Sequence, residues 1–353
     1  MRILVGMSGG IDSSVAALLL QEAGHEVVGV TMSIWRDGNP FSGELKKNAC
    51  FGPNEEEDIA EARRVSEILG IEYHVLDCAE QYERIVLEDF KNEYLAGRTP
   101  NPCVWCNSLI KFGALPKIAR EMGIAFDKFA TGHYANTEYR DGRWLLKRAK
   151  DLRKDQSYFL YRLTQQQLSN VLFPLGGLTK EEARRICIEH GFFTEEKDES
   201  QDFYSGDYSD LLQTEPKRGN IVATDGKVLG THDGYWNYTI GQRRGLGVAS
   251  ERPLYVLRLD ATNNEVVVGH VEETFGNELV AERLNWIAME HLGEVVEVQA
   301  KIRSTGLPKA ALIEPTADGN VSVRFAEPQK AVTPGQSVVF YTDDVVLGGG
   351  VII

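Results

Sequence analysis

Buried strands and amphipathic helices alternate in the apolar pattern of the first two hundred residues. Short runs of Val, Ile and Leu are typical of strands, and apolar residues that recur every three to four positions are typical of helices. The pattern predicts strands at 3–7, 27–32, 72–76 and 128–130 and helices at 13–23, 55–69, 79–95 and 109–122. Such alternation forms a parallel sheet with ligands at its carboxyl edge. We therefore predict a doubly wound α/β domain over residues 1–204.

The pattern changes character after Asp202. Residues 205–276 are rich in Gly and Asp and contain shorter strand candidates, which predicts a small mixed or β central domain. Those strand candidates are 220–224, 255–259 and 265–269. Residues 277–353 alternate apolar and polar positions almost throughout, and turn signals such as Asp318-Gly319 separate the runs. A C-terminal β-barrel is therefore expected.

Length and composition narrow the class of protein. The chain has 353 residues, of which 42% are hydrophobic, enough for two or three packed domains. No apolar stretch approaches the roughly 18 residues of a membrane span, and the first residues resemble a strand rather than a basic and apolar leader. The sequence thus predicts a cytoplasmic protein without a membrane partner.

Charge is distributed unevenly along the chain. The net charge of −14 argues against a protein that coats nucleic acid non-specifically. A basic segment at 140–154 departs from this balance, because it contains seven Lys and Arg residues against two Asp residues. The basic residues are Arg140, Arg143, Lys147, Arg148, Lys150, Arg153 and Lys154. Two interpretations stay open: a solvated hairpin edge protected by charge, or a surface that meets nucleic acid.

A glycine loop follows the first predicted strand, in the stretch Met7-Ser-Gly-Gly-Ile-Asp-Ser-Ser-Val15. A buried strand that breaks into such a loop before a helix presents backbone N–H groups to a phosphate. Ser8 and Ser13 add hydroxyl donors, and Asp12 is placed where Mg²⁺ could use it. No Lys follows the glycines, so this is not a Walker loop. The stretch resembles the S-G-G-x-D-S signature of the PP-loop ATP pyrophosphatases (adenine nucleotide alpha hydrolase-like proteins), which adenylate a substrate and release pyrophosphate.

Cysteine usage points to thiol chemistry. The five cysteines are an odd number at irregular spacings, which is typical of metal binding or reactive thiols in a reducing compartment. Cys103 and Cys106 lie three apart behind Pro100 and Pro102. A helix from about residue 108 would point its N-terminus at these thiols and lower their pKa. The motif therefore predicts a reactive thiolate, whereas a structural zinc site would need a second C-x-x-C that the sequence lacks.

Further motifs follow the loop in a fixed order. They are Thr99-Pro-Asn-Pro-Cys-Val-Trp-Cys-Asn107, Ala130-Thr-Gly-His-Tyr134, Lys154-Asp-Gln-Ser-Tyr-Phe-Leu160, Tyr238-Thr-Ile-Gly-Gln-Arg-Arg-Gly-Leu246 and Thr333-Pro-Gly-Gln-Ser337. With the loop, they make the chain closely similar to the tRNA-specific 2-thiouridylases of the MnmA/TrmU family. The resemblance implies that ATP adenylates the C2 oxygen of the wobble uridine in certain tRNAs, and that persulfide sulfur then displaces AMP. It also implies ATP and Mg²⁺ as cofactors, and tRNA and a sulfur-relay protein or cysteine desulfurase as partners.

The resemblance assigns roles to individual residues. It implies nucleotide contacts for Gly6, Met7, Ser8, Gly9, Gly10, Ile11, Asp12, Ser13, Met32 and Gly132, with Met32 against the adenine. It implies tRNA contacts for Asn101, Pro102, Cys103, His133, Lys154, Asp155, Gln156, Arg303, Ser304 and Gln336. Cys106 occupies the position of the first catalytic cysteine.

Two positions depart from the family pattern. Family members usually carry Asp at the position of Cys103 and a second catalytic cysteine at the position of Tyr204. In one interpretation, Cys103 takes the place of the missing thiol and forms a redox pair with Cys106. Both are then catalytic, together with Asp12. In the other interpretation, Cys50, Cys103 and Cys106 hold a [4Fe–4S] cluster with one open iron, a ligand set that the resemblance to related tRNA thiolases implies. Cys78 and Cys187 are expected to be core residues.

Two other functions compete with thiolation. One is a PP-loop enzyme that adenylates a small molecule, and the other is a tRNA-binding homologue that has lost sulfur transfer. The intact phosphate loop argues against the second, whereas the barrel, the basic segment and the C-x-x-C motif argue against the first. A monomer is expected.

Overall fold

The computed structural model of the protein describes residues 1–36, 49–193, 202–204, 206 and 208–353. Its strands in chain order are β1 Arg2–Gly6, β2 Glu26–Ser33, β3 Ala49–Phe51, β4 Glu72–Asp77, β5 Lys128–Thr131, β6 Asn136–Arg140, β7 Arg143–Lys147, β8 Val171–Leu172, β9 Asp202–Tyr204, β10 Gly219–Ala223, β11 Val228–His232, β12 Tyr255–Asp260, β13 Glu265–Gly269, β14 Phe275–Trp286, β15 Val296–Lys301, β16 Lys309–Pro315, β17 Val321–Lys330, β18 Ser337–Thr342 and β19 Val345–Ile352. Its α-helical segments are Ile11–Glu22, Glu55–Leu69, Ala79–Tyr82, Glu88–Leu95, Pro102–Trp105, Leu115–Glu121, Gln165–Asn170, Lys180–Glu189 and Tyr208–Leu212.

Two long helices each contain a π-helical stretch. Glu83–Leu87 joins its flanking segments into one helix at 79–95, and Cys106–Ala114 does the same at 102–121, because the junction residues keep helical backbone angles. The first matches the predicted helix. The second begins seven residues earlier than predicted, because Pro102 takes the first helical position, where proline needs no hydrogen-bond partner.

A five-stranded parallel sheet forms the N-terminal part, in the order β4-β2-β1-β5-β8. The strand order reverses between β1 and β5, which is where ligands bind in doubly wound sheets. Ile3, Leu4 and Val5 in β1 are fully buried between the helices on either face. The predicted α/β fold is confirmed, and most observed strand ends lie within one or two residues of the predicted ones.

Two further β structures follow, as the sequence predicts. A four-stranded sheet has the order β11-β10-β13-β12. Six strands then close into a barrel in the order β14-β17-β16-β15-β18-β19, because β14 also pairs with β19. Residue 205, the first residue of the predicted central domain, lies outside the described residues.

The barrel is joined to the N-terminal part by the β6–β7 hairpin. Residues Leu146 and Lys147 of β7 pair with Val346 and Val345 of β19, so the hairpin extends the barrel sheet. A separate parallel pair joins β3 to β9, with Phe51 opposite Tyr204. The hairpin thus fixes the barrel against the part that carries the glycine loop.

Candidate active site

The glycine loop between β1 and the Ile11–Glu22 helix is held in a fixed shape. Gly9 has φ +69°, and a side chain there would place its Cβ 2.3 Å from the carbonyl oxygen of Asp58. The Ser13 hydroxyl donates to the Gly10 carbonyl at 3.1 Å, and Ser13 Oγ accepts from the Ser8 amide at 3.1 Å. The first N–H groups of a helix have no intrahelical acceptor. They therefore suit the phosphates of a nucleotide.

Gly132 forms the opposite wall of this loop, just after β5. A Cβ at this position would lie 2.6 Å from the Asp12 carbonyl carbon and 2.7 Å from the Ser13 nitrogen. The backbone of residue 132 therefore packs directly on the first helical turn. Met32, near the end of β2 and half-buried, lies at the same carboxyl edge of the sheet. The structure thus brings the nucleotide residues predicted from three strands to one edge.

Asp12 is held by a buried lysine that sequence reasoning missed. Lys180 Nζ lies 2.8 Å from each carboxylate oxygen of Asp12, and the Tyr134 hydroxyl donates to Oδ1 at 2.8 Å. Lys180 is 4% exposed. The signal available in the sequence was the capping box of Thr179 and Glu182, which places Lys180 at the first position of its helix, although not near Asp12.

The donor set at the loop suits a nucleotide better than a preformed metal centre. Among the described residues, no group of three or more His, Cys, Asp or Glu side chains is arranged to hold a metal ion. This holds for Cys50, Cys103 and Cys106 as well, so the described structure does not support the iron–sulfur interpretation. The amides and hydroxyls of the loop are phosphate ligands.

The two cysteines of the C-x-x-C motif lie inside the 102–121 helix and not in front of it. Cys103 is its second residue, and Cys106 begins the π-helical stretch. Burial raises the pKa of the Cys106 thiol to about 12, although the nearby Lys111 ammonium acts in the opposite direction. The predicted lowering of the Cys106 pKa is therefore wrong, because burial of the thiol outweighs the charges that favour the thiolate.

Cys106 packs against the hydrophobic cluster that contains Cys78, whereas the Ile11–Glu22 helix belongs to a second cluster. Cys78 directly follows β4 at the carboxyl edge, and its pKa is raised to about 12 by burial, with Asp77 and then Cys106 adding to the effect. This coupling places the Cys106 thiol beside the end of β4. Cys78 and Cys187 are buried, as predicted, and each of the five cysteines is a thiol and not half of a disulfide.

The segment before the cysteines is held by the barrel. The Gln336 side-chain amide donates to the carbonyls of Thr99 and Pro100, each at 3.0 Å. The Thr99 amide donates to the Pro334 carbonyl at 2.8 Å. Gly335 is required here, since a Cβ would lie 2.7 Å from the Thr99 carbonyl oxygen. Gln336 therefore anchors the approach to Asn101, Pro102 and Cys103.

The other residues predicted to contact tRNA fall into two groups. Arg303 and Ser304 are exposed on the barrel, and the Arg303 guanidinium donates to the Ala331 carbonyl at 2.8 Å. Asp155, in contrast, is buried and accepts from Ser157 Oγ at 2.9 Å. The tRNA contact of Asp155 stays a prediction; in this structure the carboxylate shapes its own loop by accepting from the Ala149 amide and from Ser157.

His133, Lys154 and Gln156 lie in or beside that loop and are half-buried. The Gln156 side-chain oxygen accepts from the Tyr134 amide at 2.8 Å. His133 Nδ1 lies 2.8 Å from Thr131 Oγ1, next to the rings of Phe112 and Phe173. Burial, then Lys111, hold the pKa of His133 well below its usual range. The imidazole is therefore neutral at physiological pH.

Acidic partners compensate most of the basic segment at 140–154. The ion pairs are Arg140–Glu138 at 3.8 Å, Arg143–Glu290 at 3.7 Å, Lys147–Glu138 at 2.9 Å, Arg148–Asp155 at 3.6 Å, Lys150–Glu182 at 3.3 Å and Arg153–Asp151 at 3.2 Å. The charge available to attract RNA is therefore smaller than the sequence suggests. The hairpin-edge interpretation accounts for these residues better.

Tyr204 occupies the position of the missing second cysteine, and it is buried. Its hydroxyl lies 3.1 Å from Asp210 Oδ2, and its ring lies 6.0 Å from that of Phe51. Residues 194–201, which precede β9, lie outside the described residues.

Replacing Tyr204 by phenylalanine is expected to leave thiolation within about threefold of the unmodified protein, because the ring packing is kept. Loss of the hydrogen bond to Asp210 should lower the free energy of unfolding by about 1 kcal/mol. Thermal unfolding and turnover measured on the same preparation would test both. A complete loss of turnover with a folded protein would instead give the hydroxyl a chemical role.

The fold and site define a class of protein: a PP-loop nucleotide-binding enzyme with two added β domains. A family model described as tRNA methyl transferase HUP domain matches residues 1–204. Models described as tRNA methyl transferase PRC-barrel domain and aminomethyltransferase beta-barrel domain match residues 210–270 and 276–352. Among the described residues, no helix has the length and apolar character needed to cross a membrane.

Curated relatives match the chain from end to end. One from Endomicrobium trichonymphae is 50% identical and covers 100% of this chain and 99% of its own length. Another, from Caldanaerobacter subterraneus subsp. tengcongensis, is 48% identical over 99% of this chain and 97% of its own length. Both are named tRNA-specific 2-thiouridylase MnmA, the second with the number 1. The chain belongs to this family.

Proposed function

We propose that the protein is an ATP-dependent tRNA-uridine 2-sulfurtransferase that converts the wobble uridine to 2-thiouridine. One observation carries the proposal: a phosphate-binding loop and the Cys106 thiol lie at the carboxyl edge of the same parallel sheet. Nucleotide activation and sulfur transfer can therefore take place at one site. The family of the chain, whose named members are tRNA 2-thiouridylases, supports the same conclusion.

The chemistry has two steps. The uridine O2 attacks the α-phosphorus of ATP, the bond to the β-phosphate breaks, and pyrophosphate leaves while N3 gives up its proton. Sulfur then attacks C2, and the C2–O bond breaks with AMP as the leaving group. Adenylation is needed because a carbonyl oxygen is by itself a poor leaving group. The sulfur that takes its place stays joined to its carrier until a thiol attacks the carrier sulfur and the S–S bond breaks; N3 then regains a proton.

The chain's own residues stabilise charge in the first step. The first N–H groups of the Ile11–Glu22 helix, which have no intrahelical acceptor, would meet the phosphates, where negative charge gathers as pyrophosphate leaves. Ser8 and Ser13 hold the loop in shape by hydrogen bonds within it. Lys180 supplies a buried positive charge next to Asp12. Mg²⁺, when bound with ATP, would neutralise phosphate charge, and Asp12 is the loop carboxylate that could hold it.

Sulfur and RNA come from partners. We propose that a sulfur-relay protein or a cysteine desulfurase delivers sulfur as a persulfide to Cys106, and that the enzyme acts as a monomer in the cytoplasm. Exposed Arg303 and Ser304 on the barrel are suited to the RNA backbone. The target base must leave its stack to reach a half-buried thiol. We also propose domain boundaries of 1–204, 205–276 and 277–353.

Pyrophosphate and AMP release, measured with and without tRNA, test this function. We expect the release of pyrophosphate and AMP to need a tRNA transcript with uridine at the wobble position, U34. Nucleoside mass spectrometry should find 2-thiouridine in that transcript once cysteine and a cysteine desulfurase are added. A transcript that carries C34 is the matched control and should give neither product. Release that is indifferent to RNA would instead indicate a PP-loop enzyme for a small molecule.

A further inference from the structure

The thiols of Cys50 on β3 and of Cys103 and Cys106 in the C-x-x-C helix act electrostatically on one buried tyrosine, Tyr82. Tyr82 stacks on Phe51 with ring centres 5.1 Å apart, and Phe51 is the chain neighbour of Cys50. The pKa of the Tyr82 hydroxyl is raised well above its usual value by burial, then by Cys106, Cys50 and Cys103. Cys50 also raises the pKa of Cys106. Such effects fall with distance, so Cys50 lies close to the C-x-x-C helix.

Strand pairing explains how Cys50 comes to this place. β3 runs parallel to β9, with Ala49 opposite Asp202 and Phe51 opposite Tyr204. Alternation along β3 buries Phe51 and exposes Cys50. An exposed thiol therefore lies on the strand next to buried Tyr204, whose hydroxyl cannot take part in thiol exchange.

The other thiols are less suited to form a disulfide with Cys106. Cys103 lies three residues before it in one continuous helix, where Cβ atoms are about 5–6 Å apart. A disulfide needs Cβ atoms about 3.5–4.5 Å apart, so the helix would have to distort. Cys78 is completely buried, and Cys187 is buried in a different part of the core.

We propose that Cys50 is the thiol that resolves the sulfur carrier on Cys106, a role that rests on the proposed thiolation of tRNA. Cys50 acts after the terminal sulfur of a Cys106 persulfide has attacked C2 and displaced AMP.

In this exchange the disulfide bond of Cys106 passes from the transferred sulfur to Cys50. Attack on C2 leaves Cys106 Sγ joined to the transferred sulfur, and the persulfide proton passes to solvent. The Cys50 thiolate attacks Cys106 Sγ, the bond to the transferred sulfur breaks, and its electron pair stays on the sulfur of the thiouridine. A Cys50–Cys106 disulfide forms. A small-molecule or protein dithiol then supplies two electrons and two protons to restore both thiols.

A comparison of two serine variants tests this role. The full chain, Cys50→Ser and the matched Cys103→Ser are loaded with persulfide by a cysteine desulfurase and given ATP and U34 transcript without any reductant. We expect Cys50→Ser to release AMP at the unmodified rate but to remain joined to tRNA through Cys106, as a reductant-sensitive band on a denaturing gel. Its multiple-turnover rate should fall at least roughly tenfold and recover when dithiothreitol is added. Cys103→Ser should still form the Cys50–Cys106 disulfide and release the thiolated tRNA without reductant.

Peptide mass spectrometry after one turnover should find Cys50 joined to Cys106 in the unmodified protein. A Cys103–Cys106 disulfide, or full reductant-free turnover by Cys50→Ser, would overturn the proposal. Iron and acid-labile sulfide retained after anaerobic purification and lost in Cys50→Ser would also overturn it, in favour of a cluster. Loss of AMP release in that variant would make Cys50 structural. Failure of the unmodified protein to release AMP with tRNA would instead reject the proposed function.

Discussion

Replacing Cys106 by serine is expected to abolish 2-thiouridine formation and to leave ATP binding nearly unchanged. A hydroxyl cannot carry a persulfide, so the sulfur that replaces oxygen at C2 would have no carrier. The loop is shaped by its own serines and by contact with Asp58, neither of which depends on Cys106. Adenylation of the base should therefore continue, and the adenylate should break down to AMP with no sulfur added.

Calorimetry for ATP binding and nucleoside mass spectrometry would separate these two effects. Cys187→Ser controls for the loss of a thiol outside the C-x-x-C helix, because Cys187 is buried in the hydrophobic cluster that includes the Ile11–Glu22 helix, and 2-thiouridine should still form. Thiolation that survives in Cys106→Ser would remove this residue from the mechanism.

The rate at which the Cys106 thiol is alkylated can be measured on the same protein as a function of pH. Because burial raises the pKa of Cys106 to about 12, the thiol stays protonated at neutral pH in the protein without substrate. Alkylation by iodoacetamide should therefore be slow at pH 8 and should rise with pH, since only the thiolate reacts. Addition of tRNA and ATP should change this rate if the site rearranges around the thiol.

Local features of the sequence were enough to predict most of the fold. The helix at Glu55–Leu69 was placed correctly, because acidic residues fill its first turn and Gly70 ends it in the left-handed conformation. The sequence does not predict that the second long helix starts at Pro102. Two prolines close together are typical of a loop, although proline is also favoured at the first position of a helix. The direction of the Cys106 pKa has a different cause, the burial of the thiol, which no local sequence pattern indicates.

The parts of the site that were missed depend on contacts between distant residues. Lys180 meets Asp12 across 168 positions of the chain, and no local pattern indicates such a pair. Two acidic partners of the basic segment are also distant in sequence, Glu182 from Lys150 and Glu290 from Arg143. The pairing of β3 with β9, which places Cys50, joins segments about 150 residues apart. Periodicity predicts elements, but it does not predict which elements meet.

Substituting alanine for Gly132 is expected to reduce ATP-dependent AMP formation by about 100-fold. The new methyl group would lie 2.6 Å from the Asp12 carbonyl carbon and 2.7 Å from the Ser13 nitrogen, so backbone and not a flexible side chain would have to move. Those atoms belong to the helical turn that faces the phosphates. Because positioning supplies much of the catalysis here, a shift of about 1 Å is enough for a loss of that size.

Gly177→Ala provides the matched control, because Gly177 is exposed and a Cβ there meets no atom within 4 Å. We expect this variant to behave like the unmodified protein in kcat/KM for ATP and in thermal unfolding. Gly132→Ala should keep its circular dichroism spectrum while its kcat/KM for ATP falls, since overpacking at one position costs about 1–3 kcal/mol. If Gly132→Ala forms AMP as fast as Gly177→Ala, the contact between residue 132 and the start of the helix does not shape the nucleotide site.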